Sequence, residues 1–70
     1  MLEEYKGTIA EIIFHNNENG YTVAVFETEL EAFTVVGTLP AVSVGRHYRL
    51  RGEFTMHPTY GEQFAIREFE

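Results

Sequence analysis

Cysteine is absent from the 70-residue chain, so neither a disulfide framework nor a thiolate zinc site can stabilise it. Tryptophan is also absent, proline occurs only twice, and no apolar run approaches the roughly 18 residues that span a membrane. The length allows one compact domain, so we expect residues 1–70 to form a single unit with no membrane partner. Its stability must come from an apolar core, for which six Phe and four Tyr are available.

Basic residues are scarce: one Lys and four Arg stand against eleven Glu, and the net charge is −6. A phosphate-binding module normally carries the opposite sign, which argues against strong autonomous binding to DNA. The imbalance is confined to one half of the sequence. Residues 1–31 contain seven Glu and one Lys (net −6), whereas residues 32–70 contain four Glu and four Arg (net zero). The first half should repel phosphate, and the second half can tolerate it.

The start of the sequence, Met1-Leu2-Glu3-Glu4, has no basic stretch followed by an apolar run. Secretory signals require both features, so none is visible here. We therefore expect a cytoplasmic protein.

Alternating apolar and polar residues, separated by turn-forming segments, predict five β-strands and no long helix. The predicted strands are residues 5–14, 21–28, 32–39, 46–55 and 62–69. Asn-rich residues 15–20 and Pro-containing residues 56–61 predict turns. In the second strand, Tyr21, Val23 and Val25 form the more apolar set, which places Phe26 on the more polar face.

Five strands in so short a chain leave two sheet edges, and closing the sheet into a small barrel removes them. An all-β fold is therefore expected, either a five-stranded OB-like Greek-key barrel or an SH3-like barrel. The long first strand, interrupted by Gly7, favours the OB form.

Three segments carry a resemblance to a known family: FHNNENGY at 14–21, GTLP at 37–40 and HPTYGEQF at 57–64. In this order and spacing they resemble the N-terminal OB-like domain of the long RecD-type DNA helicases, relatives of the exodeoxyribonuclease V alpha subunit. The resemblance extends from about Glu4 to Glu70. It implies that the chain is an excised N-terminal domain of a longer helicase.

In such helicases this domain precedes two RecA-like motor domains that bind ATP and Mg²⁺ and move 5′ to 3′ on single-stranded DNA. The resemblance therefore implies a parent enzyme acting in DNA recombination and repair. The fragment itself has no P-loop, because Lys6-Gly7-Thr8 lacks the glycine required earlier in that motif. We expect the 70 residues to have no enzymatic activity and no cofactor of their own.

An OB barrel binds ligands on strands two and three and in the loops that join strands one to two and four to five. These loops correspond to His15–Gly20 and Met56–Gly61. Aromatic side chains there can stack on DNA bases, and the candidates are Phe26, His57 and Tyr60. The alternative is that Tyr21 continues the core stripe of its strand and Tyr60 plugs one end of the barrel.

Arg49 and Arg51 lie on one face of the fourth strand and are suited to follow a phosphate backbone. The alternative is that they pair with Glu across the sheet on a solvated surface. Three roles therefore stay open: handling of single-stranded DNA, docking on other helicase domains or a protein partner, and a structural cap without a ligand.

Metal binding and catalysis are not expected. The three histidines, His15, His47 and His57, lie on different predicted elements, so a shared metal site would need them to converge. Ser43 is the only serine and lies in a connection, without a neighbouring base that would activate it.

Overall fold

The computed structural model describes residues 1–70 as five strands joined by short turns. The strands are β1 (Glu3–His15), β2 (Tyr21–Glu27), β3 (Ala32–Thr38), β4 (His47–His57) and β5 (Gly61–Phe69). Each agrees with a predicted strand to within two residues at either end. The structure contains no helix that is long and apolar enough to cross a membrane.

The strands form a closed barrel in the order β1-β2-β3-β5-β4. Four of the five pairings are antiparallel, and the parallel pairing of β3 with β5 closes the barrel through only two residue pairs, Val35–Phe64 and Val36–Ala65. This arrangement is the OB-like barrel, and the SH3-like alternative is excluded.

The length of β1 makes the closure possible, because its first half pairs with β4 and its second half with β2. Gly7 lies where β1 passes from one partner to the other. A Cβ atom at Gly7 would overlap the backbone carbonyl of Glu27 at the end of β2. The glycine that interrupts the first apolar segment therefore permits the close approach of two backbones.

The core is formed by eight buried hydrophobic residues: Ile9, Ala24, Phe26, Val35, Leu39, Tyr48, Leu50 and Phe64. Tyr5, Phe33 and Phe54 pack beside Phe64, and the centroids of these four rings lie 5.1–5.9 Å apart, mostly edge to face. Edge-to-face contacts bring the positive ring edge against the negative ring face and add to the stabilisation from burial.

The prediction for the two faces of β2 was wrong. Phe26 is fully buried, and Thr22 and Ala24 are buried on the same face. Tyr21, in contrast, is 42% exposed on the outer face. A buried threonine is tolerated because its hydroxyl donates to the carbonyl of Gly20 at 3.0 Å and lies 2.8 Å from Nδ1 of His15. Phe26 lies opposite Ile9 and Phe33 in the barrel interior and cannot stack on a base.

Candidate functional site

An apolar groove with a volume of about 650 Å³ opens on the barrel surface between the β1–β2 and β4–β5 loops. The end of β1, the start of β2, the middle of β3 and the junction of β4 with β5 form its walls. Its lining residues are Ile13, Phe14, Tyr21, Val23, Thr34, His57, Tyr60 and Gln63. The groove therefore lies at the place where an OB barrel presents its ligand-binding surface.

The β1–β2 loop is a compact turn built from asparagine side chains. Oδ1 of Asn16 accepts the backbone N–H of Glu18 at 2.8 Å, and Oδ1 of Asn19 accepts that of Tyr21 at 2.9 Å. Gly20 adopts a φ of 78°, which glycine reaches without steric cost, and its N–H donates to the carbonyl of Asn16. These bonds place Tyr21 at one edge of the groove.

The β4–β5 loop is held by the ring of His57. Its Nδ1 accepts the backbone N–H of Thr59 at 3.0 Å and that of Tyr60 at 3.2 Å. The rings of His57 and Tyr60 lie 4.8 Å apart with an interplanar angle of 34°. This loop presents Tyr60 at the opposite edge of the groove.

Three aromatic rings of the groove are open to solvent: Phe14 is 51% exposed, Tyr21 42% and Tyr60 76%. The alternative in which Tyr21 and Tyr60 fill the core is therefore wrong. Exposed rings of this size offer flat apolar faces on which a base can stack.

Phe14 and its neighbour Ile13 were missed by the sequence reasoning. Both are more than half exposed because the β1–β2 register shifts between Ile12 and Phe14 and interrupts the alternation of faces. The run Ile12-Ile13-Phe14 contained the signal, since a regular strand cannot turn three consecutive apolar residues towards one core.

The groove lining includes no Glu, Lys or Arg. Arg49 and Arg51 lie on a different part of the surface and form ion pairs. Arg49 contacts Glu4 at 3.5 Å and Glu70 at 3.0 Å. Arg51 contacts Glu4 at 3.8 Å and Glu68 at 2.8 Å.

A third cation, Arg67, pairs with Glu53 at 2.6 Å. The cross-strand pairing considered as an alternative is therefore present. Of the predicted site residues, the structure brings His57 and Tyr60 together in the groove. It leaves Arg49 and Arg51 outside the groove, and Phe26 in the core.

Elsewhere on the barrel, Tyr5 donates a hydrogen bond to the Glu3 carboxylate at 2.9 Å. This bond is the main reason that the pKa of Tyr5 is raised, with burial and the nearby charges of Glu3, Glu31 and Glu62 adding to it. The phenol therefore keeps its proton, and the residue belongs to the aromatic packing of the core. The structure holds no group of three or more His, Cys, Asp or Glu placed to bind a metal.

The strand order and the groove between two loops define the class of protein as a five-stranded OB barrel. Residues 2–70 match the family described as ATP-dependent DNA helicase YrrC, OB-fold domain, and the chain belongs to this family. The resemblance to the OB-like domain of a DNA helicase is thereby confirmed. No solved structure matches the chain.

Proposed function

We propose that the groove binds a short stretch of single-stranded DNA by base stacking, as an accessory module of an ATP-dependent DNA helicase. The observation that carries this proposal is the group of solvent-open rings, Phe14, Tyr21 and Tyr60, around one apolar groove. Membership in a helicase OB-fold family supports it.

Stacking supplies most of the affinity in this proposal. Each base stacked on an aromatic side chain contributes about 1–3 kcal/mol, and every base has a face suited to it. Phosphate contacts contribute little, because no cation lines the groove and Arg49, Arg51 and Arg67 are paired with Glu. We therefore expect weak binding without strong sequence preference and with a shallow dependence on salt.

The wider setting is part of the proposal. The module acts beside motor domains that bind ATP and Mg²⁺ and move 5′ to 3′ on single-stranded DNA, in a cytoplasmic helicase of recombination and repair. A stacking groove beside such a motor would hold the strand through its bases rather than its phosphates.

The test is fluorescence anisotropy of a labelled single strand of about 15 nucleotides, titrated with the 70-residue chain. Tyr60→Leu keeps apolar volume but removes the ring, and we expect about tenfold weaker binding, equal to about 1.4 kcal/mol. Tyr60→Phe keeps the ring and should bind as the wild type does. Leu30→Ala is the matched control, because Leu30 is 94% exposed and lies outside the groove.

Two results would contradict stacking. One is the absence of binding at low salt. The other is equal affinity of the Tyr60→Leu and Tyr60→Phe variants. A steep loss of affinity between about 50 and 200 mM salt would show that the DNA contacts a charged surface outside the groove.

Docking on another domain of the helicase is the second candidate function. The net charge of −6 and the neutral groove favour it, because both suit an apolar protein surface better than a polyphosphate strand. Apolar docking tolerates leucine at position 60, whereas stacking requires a ring. Loss of DNA affinity in Tyr60→Leu therefore indicates stacking. Docking instead predicts that the thermal stability of the full helicase falls when a charge is placed in the groove, as in Tyr60→Glu, and stays unchanged in Tyr60→Leu.

A further inference from the structure

We propose that His57 is a positioning residue, whose ring nitrogen Nδ1 holds the β4–β5 loop in the conformation that presents Tyr60 to the groove. The value of this role for DNA binding rests on the proposed function. The positioning itself is a property of the loop and can be measured without DNA.

The hydrogen bonds of the loop converge on one atom. Between β4 and β5 lie Pro58, Thr59 and Tyr60, and proline has no backbone N–H. The two remaining N–H groups both donate to Nδ1 of His57, at 3.0 and 3.2 Å. None of the nine backbone hydrogen bonds outside the strand ladders involves these three residues. The His57 ring therefore satisfies every backbone donor of the loop.

The ring also contacts the side chain that it positions. Its centroid lies 4.8 Å from that of Tyr60. Two separable properties of His57 thus act on Tyr60, the acceptor nitrogen and the ring face. Asparagine reproduces the first without the second, because its side-chain oxygen accepts N–H groups two residues ahead in an Asx turn. Phenylalanine reproduces the second without the first.

The acceptor role requires a specific protonation state. Nδ1 accepts only when its lone pair is free, which is the neutral tautomer with the proton on Nε2. An imidazolium carries protons on both nitrogens and would direct an N–H at two other N–H groups. Acidification should therefore release the loop.

No charged side chain offsets this effect from within the groove. The other titratable groups that line it with His57 are the phenols of Tyr21 and Tyr60. The nearest carboxylate along β5 is that of Glu62. This residue lies opposite Met56 in the β4–β5 ladder and does not line the groove. His15, on the β1–β2 side, contacts the buried Thr22 hydroxyl, which donates its own proton to Gly20, so His15 acts as the donor. A protonated His15 keeps this bond.

The experiment compares His57→Asn, His57→Phe and His57→Ala with the wild-type chain, first by hydrogen exchange of the Thr59 and Tyr60 amides. We expect the Asn variant to retain protection near the wild-type level. We expect the Phe and Ala variants to lose about fivefold, the effect of one hydrogen bond. When the ring is protonated at low pH, protection corrected for intrinsic exchange should fall in the wild type and not in the Asn variant.

The same four proteins are then titrated with the labelled single strand. Affinity should follow amide protection, with the Asn variant close to the wild type and the Phe variant close to Ala. If the Phe variant keeps its protection, or the Asn variant loses as much as Ala, the positioning role is overturned. If protection follows the acceptor but no protein binds DNA, the inference stands and the proposed function fails.

Discussion

The two loops beside the groove present aromatic side chains in the same way but are stabilised differently. The β1–β2 loop uses several independent acceptors: the side-chain oxygens of Asn16 and Asn19 and the backbone carbonyls of Asn16 and Gly20. The β4–β5 loop uses Nδ1 of His57 alone. One edge of the groove is thus built redundantly, whereas the other depends on a single titratable atom.

The difference shows how much a local structure depends on the number and kind of its acceptors. Amide and carbonyl oxygens accept at any physiological pH, so the β1–β2 loop does not respond to protons. The β4–β5 loop depends on the neutral tautomer of His57 and loses both hydrogen bonds whenever that one acceptor is lost. The two edges of the groove can therefore differ in rigidity although each presents a tyrosine.

The largest expected effect comes from the glycines that end these loops, Gly20 with φ 78° and Gly61 with φ 82°. Alanine at either site would have to adopt the same left-handed backbone conformation, which costs about 1–2 kcal/mol for a residue with a Cβ atom. At Gly20 the new Cβ would also meet Cγ2 of Thr38 at 3.2 Å, whereas at Gly61 nothing lies within 4 Å. We expect Gly20→Ala to lower the free energy of unfolding by about 3 kcal/mol, and Gly61→Ala by about half as much.

Urea denaturation of the two variants measures both values. Equal losses would show that the β1–β2 loop moves away from β3 without cost, and the contrast between a packed and an open loop would then be wrong.

A smaller effect is expected from removing the buried hydroxyl that links the β1–β2 loop to the barrel. Thr22→Val breaks the bonds to His15 and Gly20 and leaves Nδ1 of His15 without its partner. We expect a loss of about 1.5 kcal/mol in the free energy of unfolding.

Thr34→Val on β3 is the matched control for stability, because no hydrogen bond of its hydroxyl supports the fold, and it should change stability by no more than about 0.5 kcal/mol. If the two variants are equally stable, the Thr22 hydroxyl does not anchor the loop.

The smallest effect is expected from deleting one acceptor of the redundant loop. Asn19→Ala removes the bond to the Tyr21 N–H and leaves those of Asn16 in place, so we expect a loss of about 0.5 kcal/mol. The Tyr21 amide should exchange less than about threefold faster, compared with about fivefold for Tyr60 in His57→Ala. A larger effect in Asn19→Ala would reverse the contrast between the loops.

The architecture was accessible from the sequence because its signals are local. Turn-forming residues at 15–20 and 56–61 bound the strands. The sequence also placed Arg49 and Arg51 on one face of β4, opposite the buried Tyr48 and Leu50. The choice between the OB-like and SH3-like barrels required the strand order. Strand order depends on pairing between distant segments, which periodicity within a segment does not encode.

The site was accessible only in part. His57 and Tyr60, which line the groove, were selected because OB barrels place ligands at that loop. Phe26 was misplaced because both faces of β2 carry apolar residues, so hydrophobicity alone did not decide which face was buried. The hydrogen bonds that allow Thr22 to be buried, to the Gly20 carbonyl and with His15, are not visible in the pattern of apolar and polar residues. The pairing of Arg49 and Arg51 with Glu likewise depends on which strands are neighbours.

The junction of β3 with β5, which has only two residue pairs, links the groove to the stability of the barrel. Thr34 and Gln63, which line the groove, immediately precede Val35 and Phe64, the first pair of that junction. A strand of DNA bound across both residues would bridge β3 and β5 beside the pairing that has the fewest residue pairs in the barrel. Binding that favours the paired β3–β5 junction stabilises the folded state by mass action. Occupancy of the groove would therefore raise the free energy of unfolding of the whole barrel.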